Sequence, residues 1–230
     1  VVHFQIEGSE SECLEGYDAA WTATRLNSFD SQEYGEVSDD VRKAIEKARK
    51  DIIDQYKGEI IVYATESFEA LTIEKSREVL NDVIDIYGRV DVVIYDYLEV
   101  LDTTQKYTDE RKRREKIAND ITNIAIEFDA VALTATQAND INPENQNNPD
   151  FVMTRHHISE FKGCLKPFSY FITLNATPAE YRSDIMRLYC DKFRRHKSGQ
   201  IIKIAQKKDI GRFYEHSRTL KEFYKERNVD

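Results

Sequence analysis

Val92-Val93-Ile94-Tyr95-Asp96 is a run of four apolar residues closed by a carboxylate, and its reading decides the fold of the 230-residue chain. Continuous β-branched and aromatic character fits a strand covered on both faces, as in a parallel sheet, better than one with a wet face. Just upstream, Gly88 ends a helical stretch that carries Ile73, Val79, Leu80, Val83 and Ile86 and that Thr72 can cap. The same alternation recurs on either side. Val1 to Ile6 reads as a strand, and Ser9 with Glu12 forms a capping-box pattern opening a helix through about Leu26. Ser38 precedes a helical stretch with Val41, Ile45, Ala48 and Ile52 that ends at Gly58, and the strand Ile60 to Tyr63 follows. Downstream, a long polar helix with the run Arg111-Lys112-Arg113-Arg114-Glu115-Lys116 leads to Ile117, Ile121, Ile124 and Phe128, then to a strand from Ala130 to Thr134. Strand and helix in alternation predict an α/β chain with a mostly parallel sheet flanked by helices.

From Gln137 to Pro149 the sequence turns to Asn, Asp, Gln and Pro without periodicity, which predicts a long, poorly ordered loop. Beyond it the chain is richer in β-structure. Ser169 to Leu174, Met186 to Tyr189, Gln200 to Ala205 and Arg212 to Tyr214 are candidate strands, and Thr177-Pro178-Ala179-Glu180 is a helix start with proline first.

An apolar fraction of 40% excludes general disorder. Three scattered cysteines, Cys13, Cys164 and Cys190, form no disulfide framework and fit a reducing compartment. The absence of a long apolar run or a secretory leader pattern leads to the expectation of a soluble intracellular protein without a membrane partner. The formal charge of −9 hides an asymmetry. Residues 1–100 carry 23 acidic and 10 basic side chains, a net of −13, whereas residues 151–230 carry 9 and 17, a net of +8. A local basic face is enough for nucleic acid, and a solvated surface explains the same pattern equally well.

Chemistry concentrates at strand ends, because open α/β sheets bind ligands there. Asp96 closes its apolar strand in the Walker B pattern, where a carboxylate holds the Mg2+ that bridges nucleotide phosphates. Glu7 closes the first strand in the same way and is suited to orient an attacking water; alternatively it joins Glu10 and Glu12 in the acidic start of a helix. Gln137 follows the strand ending at Thr134 and is suited to sense a γ-phosphate; a turn-forming role is the plain alternative. Lys192-Phe193-Arg194-Arg195-His196-Lys197-Ser198-Gly199 sets alternate cations on one face of a strand before a turn, which suits reaching a phosphate across a subunit interface or simply forms a solvated basic hairpin. His156, His157 and Cys164 lack the spacing of a tetrahedral zinc site. Trp21, Tyr17 and Leu14 share one helix face and read as packing, and His3 reads as structural.

In order, Gln5-Ile6-Glu7, Ile94-Tyr95-Asp96-Tyr97-Leu98, Leu133-Thr134-Ala135-Thr136-Gln137-Ala138-Asn139 and Lys192-Phe193-Arg194 resemble the successive motifs of the RecA-type ATPase domain of DnaB-family replicative DNA helicases, nearest those of tailed phages. The resemblance runs from Val1 to about Glu215. It implies a RecA-like motor domain over residues 1–217 with a helical tail over 218–230. It further implies ATP and Mg2+ as cofactors, with Glu7 as the catalytic glutamate, Asp96 as the metal ligand and Gln137 as the coupling glutamine. Lys192 and Arg194 would be fingers supplied to the neighbouring subunit of a hexameric ring, with Arg195 a substitute for Arg194. Ile158-Ser159-Glu160-Phe161-Lys162-Gly163 matches the DNA-binding loop and makes Glu160, Lys162 and Gly163 the candidates for single-stranded DNA. Primase and a helicase loader are the partners implied, in the cytoplasm of a bacterium or a phage-infected host.

One departure from that pattern matters most. No Gly-x-x-x-x-Gly-Lys-Ser/Thr occurs, so the β- and γ-phosphates have no cradle within this sequence. In the resembling fold the phosphate-loop strand is expected beside Val92–Asp96, where its absence would leave unpaired backbone and an open core. The expectation is therefore that the chain is part of a longer protein and is inactive alone. The rivals are an ATPase-dead, phosphate-loop-less module that binds DNA or forms rings, and a RecA-like recombinase core.

Overall fold

The computed structural model describes residues 1–26, 39–65, 71–158 and 162–215. The chain divides into two compact units, Val1–Asp18 with Ser38–Gln137 and Glu160–Phe168, and Ala19–Val37 with Ala138–Ser159 and Ser169–Asp230.

The first unit holds β1 (Val2–Gln5), the start of α1 (Glu10–Thr22), α2 (Asp39–Tyr56), β2 (Ile61–Ala64), α3 (Ile73–Tyr87), β3 (Val92–Asp96), α4 (Glu110–Glu127) and β4 (Val131–Thr134). The strands form a parallel sheet in the order β2-β1-β3-β4. Register aligns Val2 with Val93 and Phe4 with Tyr95, so these four buried side chains share a face. The Phe4 and Tyr95 rings stack at 5.1 Å. Ile73 and Leu80 of α3 and Ile117, Ile121 and Ile124 of α4 supply the other half of this core, each burial contributing about 1.5–3 kcal/mol. The Tyr95 hydroxyl meets Ser76 Oγ at 3.0 Å, and Ser76 donates to the Ile73 carbonyl at 2.8 Å. The opposite face carries His3 and Ile94 in register, and α1 reaches it through Tyr17, whose hydroxyl lies 2.9 Å from His3 Nδ1.

The helix punctuation follows the sequence. Thr72 caps α3 by accepting from Lys75 N, and Gly88 ends it with φ +81°. Ser9 and Glu12 close a reciprocal capping box on α1, which stops at Thr22 instead of Leu26. Ser38 lies outside the described residues.

The position expected for the missing strand is corrected by the sheet order. β3 is hydrogen bonded on both edges, to β1 and to β4, as its continuous apolar sequence requires of a central strand. Among the described residues β2 and β4 are the two edge strands, and β4 is the more exposed, with Val131 and Leu133 57% and 51% exposed.

The second unit contains α5 (Pro143–Gln146), β5 (Tyr170–Asn175), α6 (Pro178–Arg182), β6 (Ile185–Phe193), β7 (Gln200–Lys207) and β8 (Arg212–Glu215). Its strands form a separate antiparallel sheet in chain order, so the β-rich C-terminal part is a sheet of its own. Thr177 and Glu180 close the capping box of α6, and Glu180 also pairs with the buried Arg187. The stretch 137–149, expected to lack order, contains α5, and Asn139 bonds through its main chain and side chain to the carbonyls of His157 and Ile158. Asn and Gln side chains here satisfy backbone groups that periodicity does not reveal. The predicted tail, 218–230, lies outside the described residues.

Candidate active site

Because β1, β3 and β4 run parallel, their carboxyl ends open on one edge of the sheet. The ladder continues past the strands, with Ile6 N donating to the Asp96 carbonyl at 3.3 Å and Leu98 N to the Ala135 carbonyl at 3.1 Å. Glu7 follows β1, Asp96 ends β3, and Gln137 follows β4. Gly8 makes the turn into α1 at φ +97°, where a Cβ would sit 3.0 Å from Glu12 Oε2, so this turn requires glycine. Glu7 is exposed ahead of α1 and does not serve as part of its first turn.

The structure brings the three strand ends together through a side chain that sequence reasoning missed. The Tyr97 hydroxyl donates to Glu7 Oε1 at 3.4 Å and accepts from Gln137 Nε2 at 3.4 Å. Gln137 is held from a second side as well. Glu99 Oε1 accepts from Gln137 N at 3.3 Å and from Thr136 Oγ1, while Glu99 Oε2 is buried with no hydrogen-bond partner among the described residues. The Asp-Tyr-Leu order was visible, but bonds spanning 40 and 90 residues have no local signature.

The Asp96 carboxylate makes no hydrogen bond or ion pair among the described residues, and its charge reaches His3, Cys13 and Tyr17. Burial pushes the Cys13 thiol up to about 11, helped by Asp96 and Glu10. Burial likewise raises Tyr17 to about 12, with Cys13 and Asp96 adding to it. His3 moves the other way: burial lowers it, against the pull of Asp96. An uncompensated carboxylate at a strand end fits a divalent cation. Among the described residues no group of three His, Cys, Asp or Glu side chains can hold a metal. A Mg2+ at Asp96 would therefore take most of its ligands from phosphate oxygens and water, as that ion commonly does.

In the second unit Lys192 lies on β6, and Arg194 follows just past the strand end at Phe193. Arg194 and Arg195 are exposed, and Arg194 N donates to the Ser169 carbonyl at 3.1 Å. The alternation predicted on one strand face is thus split between strand and turn, because Gly199, at φ +88°, and Ser198 Oγ close the hairpin back onto Cys190 and Phe193. Burial, then Arg194 and Arg155, hold the Lys192 ammonium below its usual range. Arg155, also missed in the sequence, is set beside this cluster by Asp191, which accepts from its main-chain N at 2.6 Å.

Of the predicted DNA-loop residues, Glu160 lies outside the described residues and the Lys162 side chain is not described. Lys162–Leu165 forms a 3-10 turn in which Cys164 and Leu165 are buried. A Cβ on Gly163 would collide with the Glu115 side chain of α4. His157 Nδ1 is engaged by Thr154, 3.0 Å from its main-chain N.

No helix among the described residues is long and apolar enough to cross a membrane. No protein-family model and no curated protein matches the sequence. Solved structures do match. A DnaB-like replicative helicase, described with its interactions with primase, superposes with a TM-score of 0.74 at 14% identity, covering 94% of this chain and 51% of that one. A second solved structure, described as an ATPase domain, superposes with a TM-score of 0.71 at 14% identity, covering 94% of this chain and 74% of that one. This chain thus spans about half the length of the first and three quarters of the second. At that identity the likeness is one of fold: the chain has the RecA-like α/β architecture of helicase ATPase domains.

Proposed function

We propose that the chain is the motor portion of an ATP-dependent replicative DNA helicase, working as a hexameric ring on single-stranded DNA. The observation that carries this reading is the strand-end trio Glu7, Asp96 and Gln137, set on one edge of a parallel sheet, with Glu7 and Gln137 joined through Tyr97. ATP with Mg2+ supplies an activated γ-phosphate and neutralises charge on the leaving group. Asp96 holds the cation, Glu7 takes the proton of the attacking water, and Gln137 reports the state of the γ-phosphate to the chain beyond it. Lys192 and Arg194, with Arg195 nearby, serve the nucleotide of the adjoining subunit, and Arg155 assists in keeping that cluster positive. Glu160, Lys162 and Gly163 lie along the DNA path, and the excess of basic residues after 150 supports a phosphate-binding face. Primase is a candidate partner, since one structural neighbour is a helicase described with its interactions with primase.

The phosphate cradle is the part these 230 residues lack. The open edge of β4, with Val131 and Leu133 uncovered beside it, suits a further parallel strand followed by a helix. The absent glycine-rich loop also favours a second reading, a nucleic-acid-binding or ring-forming module that does not hydrolyse ATP.

Subunit mixing tests the assignment in a protein carrying the phosphate loop. Glu7→Gln and Arg194→Ala are each expected to be inactive. Mixed one to one, they should regain turnover, because about a quarter of randomly formed interfaces pair an intact Glu7 with an intact Arg194. No recovery in a ring that still forms would remove the shared site, and a wild type without turnover would favour the second reading.

A further inference from the structure

The Gln137–Tyr97–Glu7 chain connects two groups to which the proposed reaction gives separate tasks. We propose that Tyr97 is a positioning residue that transmits the placement of Gln137 to Glu7, so that the base is aligned only when the residue after β4 is in place. This rests on the reading of Glu7 and Gln137 given above. Tyr97 has the geometry for such a link, since its hydroxyl is donor to one neighbour and acceptor from the other, and each bond fixes the orientation of the hydroxyl for the next.

Both bonds are 3.4 Å, at the long end of the range for hydrogen bonds, so each has room to shorten. Such bonds commonly tighten when substrate is bound. The far end of the link is anchored. Glu99 holds the main chain of Gln137 and the hydroxyl of Thr136, so the Gln137 side chain, whose amide bonds to Tyr97, is the part through which a displacement would pass. A phosphate drawing on that amide would shift the acceptor side of Tyr97, and the donor side would follow at Glu7. Phenylalanine in place of Tyr97 keeps the ring and breaks both bonds.

Two measurements test this, one of which requires no turnover. In the chain as it stands, with tyrosine 13Cζ labelled, the Tyr97 signal is assigned by its loss in Tyr97→Phe. At one fixed pH near neutral its chemical shift should move in Glu7→Gln, which alters the group that accepts from the hydroxyl, and again in Gln137→Ala, which removes the group that donates to it. A Tyr97 signal unmoved by both substitutions overturns the link, whether or not the protein hydrolyses ATP. In the full ring, Tyr97→Phe should lower kcat about tenfold with KM for ATP within about twofold. Gln137→Ala added to Tyr97→Phe should cost less than it does in the wild type. Equal and additive losses would mean that Gln137 does not act through Tyr97. Full turnover in Glu7→Gln would instead overturn the reading of the site, leaving the 13C signal of Tyr97 to decide the link.

Discussion

Cys13 is the residue through which the charge at Asp96 can be read without any substrate. Its thiol is pushed up to about 11, first by burial and then by Asp96 and Glu10. At pH 8 only about one thiol in a thousand is then ionised, and the thiolate is the reactive form. Asp96→Asn removes a negative charge from its surroundings, which lowers the thiol pKa and should speed alkylation of Cys13 severalfold, measured by peptide mass spectrometry. An unchanged rate would show that the Asp96 charge does not reach Cys13. At this scale the sequence was informative about endpoints and silent about links. Glu7, Asp96 and Gln137 are readable because each follows or ends an apolar run. Tyr97 stands in the motif Ile94–Leu98 and Glu99 directly after it, yet their partners lie across the sheet and only parallel pairing brings them within reach.

At the level of elements, the basic run at the start of α4 shows how a pattern can be seen and its purpose missed. Arg113 reaches the Leu101 carbonyl and Asp102 at 2.9 Å, and Glu110 binds both Arg113 and Arg114. These cations tie the helix to the preceding loop and to its own first turn. The Arg113 hydrogen bond, against some burial and with Arg114 beside it, holds the Glu110 carboxyl down at about 2. A carboxyl whose pKa is lower folded than unfolded adds stability above its unfolded value of about 4.3, and loses it as pH falls toward the folded value. Glu110→Gln should therefore cost about 0.5–1 kcal/mol at pH 7, the pair being half exposed, and almost nothing near pH 2. Denaturant melts at the two pH values check this, and an equal cost at both would mean that the ion pair is not its source. Helix caps such as Thr72 and Gly88 were legible to the residue, because their chemistry is local. The separate antiparallel sheet was not: each of its strands was visible, but nothing local says which strands pair.

For the whole molecule, the open edge of β4, and not the side of β3, is where the proposed reading puts a phosphate-loop strand. β3 takes the central position that its unbroken apolar character demands, and the unpaired backbone falls one strand further out. On the proposed reading, the carboxyl edge of this sheet is a hydrolytic site awaiting a phosphate cradle. The most direct test is steady-state ATP turnover of Glu7→Gln in a protein that carries a phosphate-binding loop, with single-stranded DNA saturating and nucleotide affinity measured in parallel. The predicted result is a loss of turnover of at least about 100-fold with affinity within about threefold, as expected for removal of a base that acts only in the chemical step. Turnover within about twofold of the wild type would contradict the assignment of Glu7, and with it the hydrolytic reading of this edge.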